Sequence, residues 1–258
     1  MIKACFFDVD GTLVSHAQGK VPESTREGLE QLRKKGIKVF LSTGRHICEL
    51  HKLPLEGLIF DGYVTLNGQL CANGDKEVIY REPLKEEDKK ALLEIFEGRE
   101  EALMLVEENR LYVNFINDTV VQAQKEISTP LPLVASYDGA PLYMAIAFIR
   151  EEEEKRFEPL IPSGCRITRW SSGGMDIISK SGGKVAGMVK ILEYYGIDKE
   201  EIMAFGDGEN DMEMLQYAKI GVAMGNASPQ VQAVADHVTG HIDENGLVQA
   251  LRHYGLID

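Results

Sequence analysis

The segment Asp8-Val9-Asp10-Gly11-Thr12-Leu13 sets two carboxylates one residue apart on a turn, directly behind the apolar run Ala4-Cys5-Phe6-Phe7. Four apolar residues followed by a glycine-bearing turn read as a buried strand and its exit. Two like charges there repel each other and lose hydration, which calls for a nearby cation. A divalent metal, with its preference for carboxylate oxygen, suits the place.

Three further segments join it: Ser42-Thr43-Gly44-Arg45, Ser181-Gly182-Gly183-Lys184 and Gly206-Asp207-Gly208-Glu209-Asn210-Asp211. Each lies at the carboxyl end of a predicted strand or at a glycine-rich start of a predicted helix, and in open α/β sheets such ends converge on one crevice. Carboxylates, hydroxyls, one lysine and flexible glycines together suit phosphoryl transfer, where positioning and charge neutralisation account for most of the catalysis. Taken singly, Asp-x-Asp-Gly is a surface turn, Thr43-Gly44 a helix cap, Lys184 a solvated helix residue, and 206–211 an acidic loop or weak calcium site. Their order and their placement after strands favour the shared site.

The elements that must position these residues alternate. A strand near Ala4–Asp8 is followed by a helix near Ser24–Lys35, in which Ser24 with Glu27 fits a capping box and Gly36 fits the stop. Strands follow at Lys38–Ser42, Leu58–Phe60, Tyr63–Leu66 and Val78–Tyr80, with turns at Asn67-Gly68 and Asn73-Gly74. Beyond Pro83 the pattern changes. A helix over Lys85–Glu97, a hairpin of Met104–Glu107 and Leu111–Phe115, and strands at Leu142–Phe148, Arg166–Thr168 and Met175–Ile178 describe a separate α+β unit. Alternation returns with a helix Lys184–Tyr195 closed by Gly196, strands Ile202–Phe205 and Ile220–Ala223, and helices Met212–Tyr217, Pro229–Ala235 and Leu247–Tyr254. The expected fold is a doubly wound, mostly parallel α/β core in two segments, 1–82 and 181–258, interrupted by an α+β domain at 83–180.

With 258 residues and a formal charge of −13, the chain can bury a substantial core but lacks the clustered Lys and Arg of an extended nucleic-acid footprint. No apolar stretch approaches the roughly 18–20 residues of a membrane span, so a cytoplasmic protein is expected. Cys5, Cys48, Cys71 and Cys165 lie far apart without a C-x-x-C pair and read as packed thiols. Ile178 and Val185 rule out a P-loop around Gly182-Gly183-Lys184, and Asp211 stands where a dinucleotide fingerprint needs its third glycine. His237 and His241 read as surface residues rather than zinc ligands. Asn117-Asp118-Thr119 and Asn226-Ala227-Ser228 match glycosylation sequons that a cytoplasmic chain would not use, and Trp170 reads as packing in the middle domain.

The four motifs, in this order, resemble those of the haloacid dehalogenase-like hydrolase superfamily. The sequel Gly221-Val222-Ala223-Met224-Gly225-Asn226-Ala227 is similar to its Cof-type branch, sugar-phosphatase-like proteins with a class IIB cap. The resemblance implies hydrolysis of a small phosphorylated metabolite, a sugar phosphate or phosphorylated cofactor. It implies that Asp8 is the nucleophile, forming an aspartyl-phosphate, and Asp10 the general acid and base. Mg2+ would be held by Asp8, Asp207 and the backbone carbonyl of Asp10, with Asp211 binding through water or orienting the others. Thr43 and the Gly44 N–H would hold phosphate oxygens, Lys184 would counter the charge of Asp8 and the phosphoryl group, Asn210 would touch the phosphate or Lys184, and Arg45 would reach substrate or brace its loop. Two other readings share these residues: a phosphomutase with the same intermediate, and a non-catalytic phosphometabolite sensor. Oligomeric state and physiological substrate do not follow from the sequence.

Overall fold

The computed structural model describes residues 1–127 and 129–258. Strand β1 (Ala4–Phe7) is buried at all four positions, and its side chains alternate between two cores: Cys5 and Phe7 enter one, Ala4 and Phe6 the other. Burial on both faces is why this strand reads as an unbroken apolar run. Helix α1 (Glu23–Lys34) buries Leu29 and Leu32, and Gly36 follows it at φ +77°. The capping box expected at Ser24 does not form. Pro22 occupies the cap with no side-chain bond, and Ser24, inside the first turn, donates its hydroxyl to Asn245 Oδ1; proline needs no N–H at a helix start and takes the position first.

The chain continues through β2 (Lys38–Ser42), β3 (Gly62–Thr65), β4 (Leu70–Asn73) and β5 (Val78–Arg81). The strand expected at Leu58–Phe60 is a turn instead: Leu58 N–H donates to the Leu55 carbonyl, and bonding to β2 begins only where Asp61 N–H meets the Val39 carbonyl. Helix α2 (Glu86–Gly98), β6 (Leu103–Val106), β7 (Leu111–Val113), α3 (Asp118–Glu126), β8 (Met144–Ala147), α4 (Glu154–Phe157), β9 (Cys165–Arg169) and β10 (Met175–Ser179) come next. The sequence reading missed α3. Its Asn117 side chain accepts from Val120 N–H, so the triplet read as a sequon is a helix cap. The last stretch is α5 (Lys184–Tyr195), β11 (Ile202–Gly206), α6 (Met212–Tyr217), β12 (Ile220–Ala223), α7 (Pro229–Gln232), the unforeseen two-residue β13 (His237–Val238) and α8 (Gly246–His253).

The chain divides into two compact units, 1–81 with 183–258, and 82–182. Among the described residues, the first unit holds an eight-stranded sheet in the order β13-β12-β11-β1-β2-β3-β4-β5, parallel from β13 to β3 and antiparallel at β4 and β5. One face packs on α1 and α8 through Leu29, Leu32, Leu247 and Leu251, the other on α5 and α6 through Met188, Ile191, Met214 and Leu215. This is a doubly wound core. The second unit holds a five-stranded sheet, β7-β6-β8-β10-β9, antiparallel throughout. Its faces carry separate clusters, one with Leu92 and Phe96 of α2 and the other with Val120 and Ala123 of α3.

Register fixes where the functional loops emerge. Phe7 stands level with Leu41 on one side and Phe205 on the other, so the residues after β1, β2 and β11 leave the sheet at one edge. Chain order reverses on either side of β1, which makes that edge a topological switch point. The β3–β4 turn is brought against the start of α5 by Gly68: at φ +93°, a Cβ there would lie 2.1 Å from the Gly183 carbonyl oxygen. Gly183 N–H in turn donates to the Asn67 carbonyl at 2.9 Å. Among the described residues no helix is long and apolar enough to cross a membrane.

Phe205 is fully buried and stacks on Phe7 with ring centroids 4.8 Å apart. Phe205→Ala is expected to lower unfolding free energy by about 3–5 kcal/mol in urea titration; a loss under about 1 kcal/mol would contradict the packing described.

Candidate active site

Lys184 opens α5 and is 1% exposed, yet its ammonium is fully committed to charge: Nζ lies 2.6 Å from Asp8 Oδ1 and 2.6 Å from Asp211 Oδ1. Asp8 follows β1, and Asp211 ends the turn after β11. Oxygens of Asp8, Asp207 and Asp211 lie within 4.8 Å of one another. Three carboxylates around one ammonium leave excess negative charge in a largely buried place, which favours the protonated form of the carboxyls there. Burial raises Asp8 well above the usual carboxylate range; Lys184 opposes this, and the neighbouring aspartates add to it. Burial and Asp211 together push Asp207 up to about 7, against the Thr12 hydrogen bond and Lys184. Burial works against the Lys184 charge, but Asp211 and Asp8 outweigh it and the net shift is upward.

Asp207 and Asp211 differ in what remains of their oxygens. Asp211 accepts from Lys184 at Oδ1 and, at Oδ2, from the backbone N–H groups of Asp207 (3.0 Å) and Gly208 (2.9 Å). It therefore holds the loop and the lysine. Asp207 accepts one hydrogen bond at each oxygen, from Thr12 Oγ1 at 2.7 Å and Asn226 Nδ2 at 3.1 Å, which leaves a lone pair on each. Asp8 Oδ2 has no hydrogen-bond partner among the described residues. A buried all-oxygen set of this kind fits a hard divalent cation. Gly11 makes the approach possible: at φ +85°, a Cβ there would lie 2.1 Å from Asp207 Oδ2.

The remaining residues singled out from sequence separate into those the geometry gathers and those it turns elsewhere. The Asp10 carboxylate lies outside the cluster. Both its oxygens accept from Arg45, at 2.6 Å from Nε and 2.8 Å from Nη2, a bidentate fork over a separation of 35 residues. Arg45 thus braces Asp10 here. Thr43 is buried, and its hydroxyl accepts from Arg45 N–H at 3.1 Å. Gly44 N–H has no partner among the described residues and is available to an anion. Asn210 bonds neither Lys184 nor a site carboxylate; its Nδ2 donates to Asn67 Oδ1 at 3.1 Å. Ser42, level with Asp8 in the register, has a buried hydroxyl without a partner. Thr12, Asn67 and Asn226 are site residues that the sequence reading did not assign, although all three stood in quoted motifs or turns. His237 stacks on His253 with ring centroids 4.7 Å apart, and Trp170 donates to Asp176 Oδ1 at 2.9 Å in the second unit.

Comparison with known proteins gives a consistent set. Residues 5–251 match the model of a family described as haloacid dehalogenase-like hydrolase. YkrA of Bacillus subtilis (strain 168), provisionally named a phosphatase, is 33% identical over 258 residues, covering 99% of this chain and 98% of that protein. The B. subtilis protein YcsE, named 5-amino-6-(5-phospho-D-ribitylamino)uracil phosphatase, is 26% identical over 260 residues, covering 99% and 96%. Among solved structures, the HAD subclass IIB sugar phosphatase BT4131 superposes with a TM-score of 0.88 at 40% identity, covering 99% of this chain and 100% of that one.

The raised Asp207 carboxyl has a measurable consequence for the cation-free protein. An unstructured aspartate titrates near about 3.9, so between about pH 4 and about pH 7 the folded state keeps a proton that the unfolded state has lost. The stability this confers is complete below about pH 4 and disappears as pH rises through about 7. In chelator, urea titrations across that window are expected to show stability falling with pH, and Asp207→Asn should flatten the fall. Equal slopes in the two proteins would contradict the electrostatics described.

Proposed function

The chain belongs to the haloacid dehalogenase-like hydrolase family, in its Cof-type branch, and is a phosphatase; we propose that it hydrolyses small phosphomonoesters with Mg2+ through an aspartyl-phosphate on Asp8. The observation that carries this reading is the buried Lys184 ammonium bridging Asp8 and Asp211, with Asp207 alongside, at the carboxyl edge of the parallel sheet. Mg2+ would be held by the carboxylates of Asp8 and Asp207 and the Asp10 carbonyl, with Asp211 orienting the lysine and the 207–208 backbone. When bound it supplies positive charge to the phosphoryl oxygens and the nucleophile.

The chain's own residues divide the work. Lys184 holds Asp8 Oδ1, leaving Oδ2 to attack phosphorus while the bond to the leaving oxygen breaks. Asp10, as a carboxylic acid, gives its proton to the departing alkoxide. The resulting carboxylate then takes a proton from water, whose oxygen attacks the same phosphorus. The Asp8–phosphorus bond breaks, and inorganic phosphate leaves. Gly44 N–H, the Thr43 hydroxyl and Asn210 are placed on the loops that would receive phosphate oxygens. The edge of Arg45 that grips Asp10 cannot hold a phosphate while that pair persists. A phosphate dianion is the group chemically suited to draw it from the carboxylate and free Asp10 for proton transfer.

The substrate class follows the relatives, one named for sugar phosphates and one for a phosphorylated ribityl compound. The 82–182 unit, inserted between the site's two segments, would act as the cap that sets the choice.

Purified protein with Mg2+ and a panel of phosphorylated metabolites should release inorganic phosphate rather than an isomeric sugar phosphate. Asp8→Asn is expected to reduce the rate at least about 10⁴-fold with near-parental far-UV circular dichroism. Rates near the parent's would remove the covalent route. EDTA should stop hydrolysis of an aryl phosphate and added Mg2+ restore it; full activity in EDTA would point to a metal-free site.

A further inference from the structure

Asp207 is held by two side chains from distant parts of the chain, and the reading above gives neither a role. Thr12 Oγ1 donates to its Oδ1 at 2.7 Å, and Asn226 Nδ2 donates to its Oδ2 at 3.1 Å. The Asn226 amide reaches further. The same Nδ2 donates to the Gly11 carbonyl at 2.8 Å, and Oδ1 accepts from Ile242 N–H at 3.1 Å. These three bonds fix the amide's orientation, since a flipped group would set its oxygen against the Gly11 carbonyl and the Asp207 carboxylate.

The loop carrying Asn226 is itself pinned. Gly225 N–H donates to the Gly240 carbonyl at 3.0 Å, and a Cβ on Gly225 would lie 2.6 Å from the Gly240 carbonyl carbon. The 240s segment is tied back to the first loop, because Ser15 Oγ and Gln18 Nε2 both donate to Asp243 Oδ1, at 2.6 and 2.8 Å. One amide therefore joins the loop after β1, the loop after β11 and the segment before α8.

Resting on the metal reading above, we infer that Asn226 is the positioning residue for the metal ligand Asp207, holding one of its oxygens and the Gly11 carbonyl so that the free lone pairs face Asp8. A carboxylate whose two oxygens each carry one fixed donor presents its remaining lone pairs in a set direction. Without Asn226 the side chain regains rotamer freedom, and the Gly11 carbonyl, next in the chain to that of Asp10, loses its anchor. Partners of this kind, one bond removed from the ion, are worth roughly 10- to 100-fold in metal affinity.

The test uses Mg2+ as the only probe and needs no substrate. The thermal midpoint of the full chain is measured against Mg2+ concentration for the parent, Asn226→Ala and the near-isosteric Asn226→Leu, with hydrolysis of an aryl phosphate followed in parallel. In whichever variant folds, the half-saturating Mg2+ concentration should rise roughly tenfold or more in both readouts, while kcat at saturating Mg2+ falls much less. A merely structural role would lower the midpoint equally with and without Mg2+, and that result overturns the inference. So does failure of both variants to fold even at saturating Mg2+, which would make Asn226 a folding residue. A parent whose midpoint ignores Mg2+ overturns the metal reading itself; a parent that responds, with variants responding at the same concentration, overturns the role of Asn226 alone.

Discussion

A single buried ammonium holds the site together. Lys184 stands between Asp8 and Asp211 with almost no exposure, where an isolated charge of either sign would be strongly disfavoured. Breaking such a pair by removing one partner costs about 3–5 kcal/mol, because the other is left buried and unpaired. The arrangement is tolerable only because Asp211 spends its second oxygen on two backbone N–H groups and Asp8 sits at the mouth of a strand end. What remains is an unneutralised excess of negative charge on Asp8 and Asp207, and that excess is the property that suits the place to a divalent cation.

The backbone has been shaped around this charge cluster. Gly11 and Gly68 both adopt positive φ, and at both a side chain would strike a site element, the Asp207 carboxylate in one case and the Gly183 carbonyl in the other. The parallel sheet supplies the coarse placement, by making three strands end level, and these close approaches supply the last ångströms. Arg45 and Asp10 form a second charge pair, outside the carboxylate cluster, in which one guanidinium edge holds both oxygens of a carboxylate 35 residues away.

Much of this was legible in the sequence, and the reason is local. Asp8, Asp207, Asp211 and Lys184 announce themselves because each adjoins an element whose apolar pattern is unambiguous, and α5 could be read from Lys184 to Tyr195 because Gly196 closes it at φ +65°. The doubly wound core followed from the alternation of those same elements. What stayed hidden depended on contacts between distant residues. The fork from Arg45 to Asp10 and the Thr12 and Asn226 bonds to Asp207 leave no periodic trace. Helix α3 was lost for another reason: its capping Asn117 begins a triplet with a second meaning, and nine residues give few turns of periodicity. Ser24 looked like a cap only because a proline two positions earlier was not weighed against it.

The point at which the chain returns to the core carries its own consequence. Gly183 is tethered to Asn67, and Lys184 follows immediately, so the ammonium is located by the core's own turn and not by whatever precedes it. The chain leaves at Arg81, on an edge strand, and comes back to a fixed latch. Both partners of that latch, Asn67 and Gly183, belong to the first unit, so the place of the buried charge is written into that unit's own turn geometry.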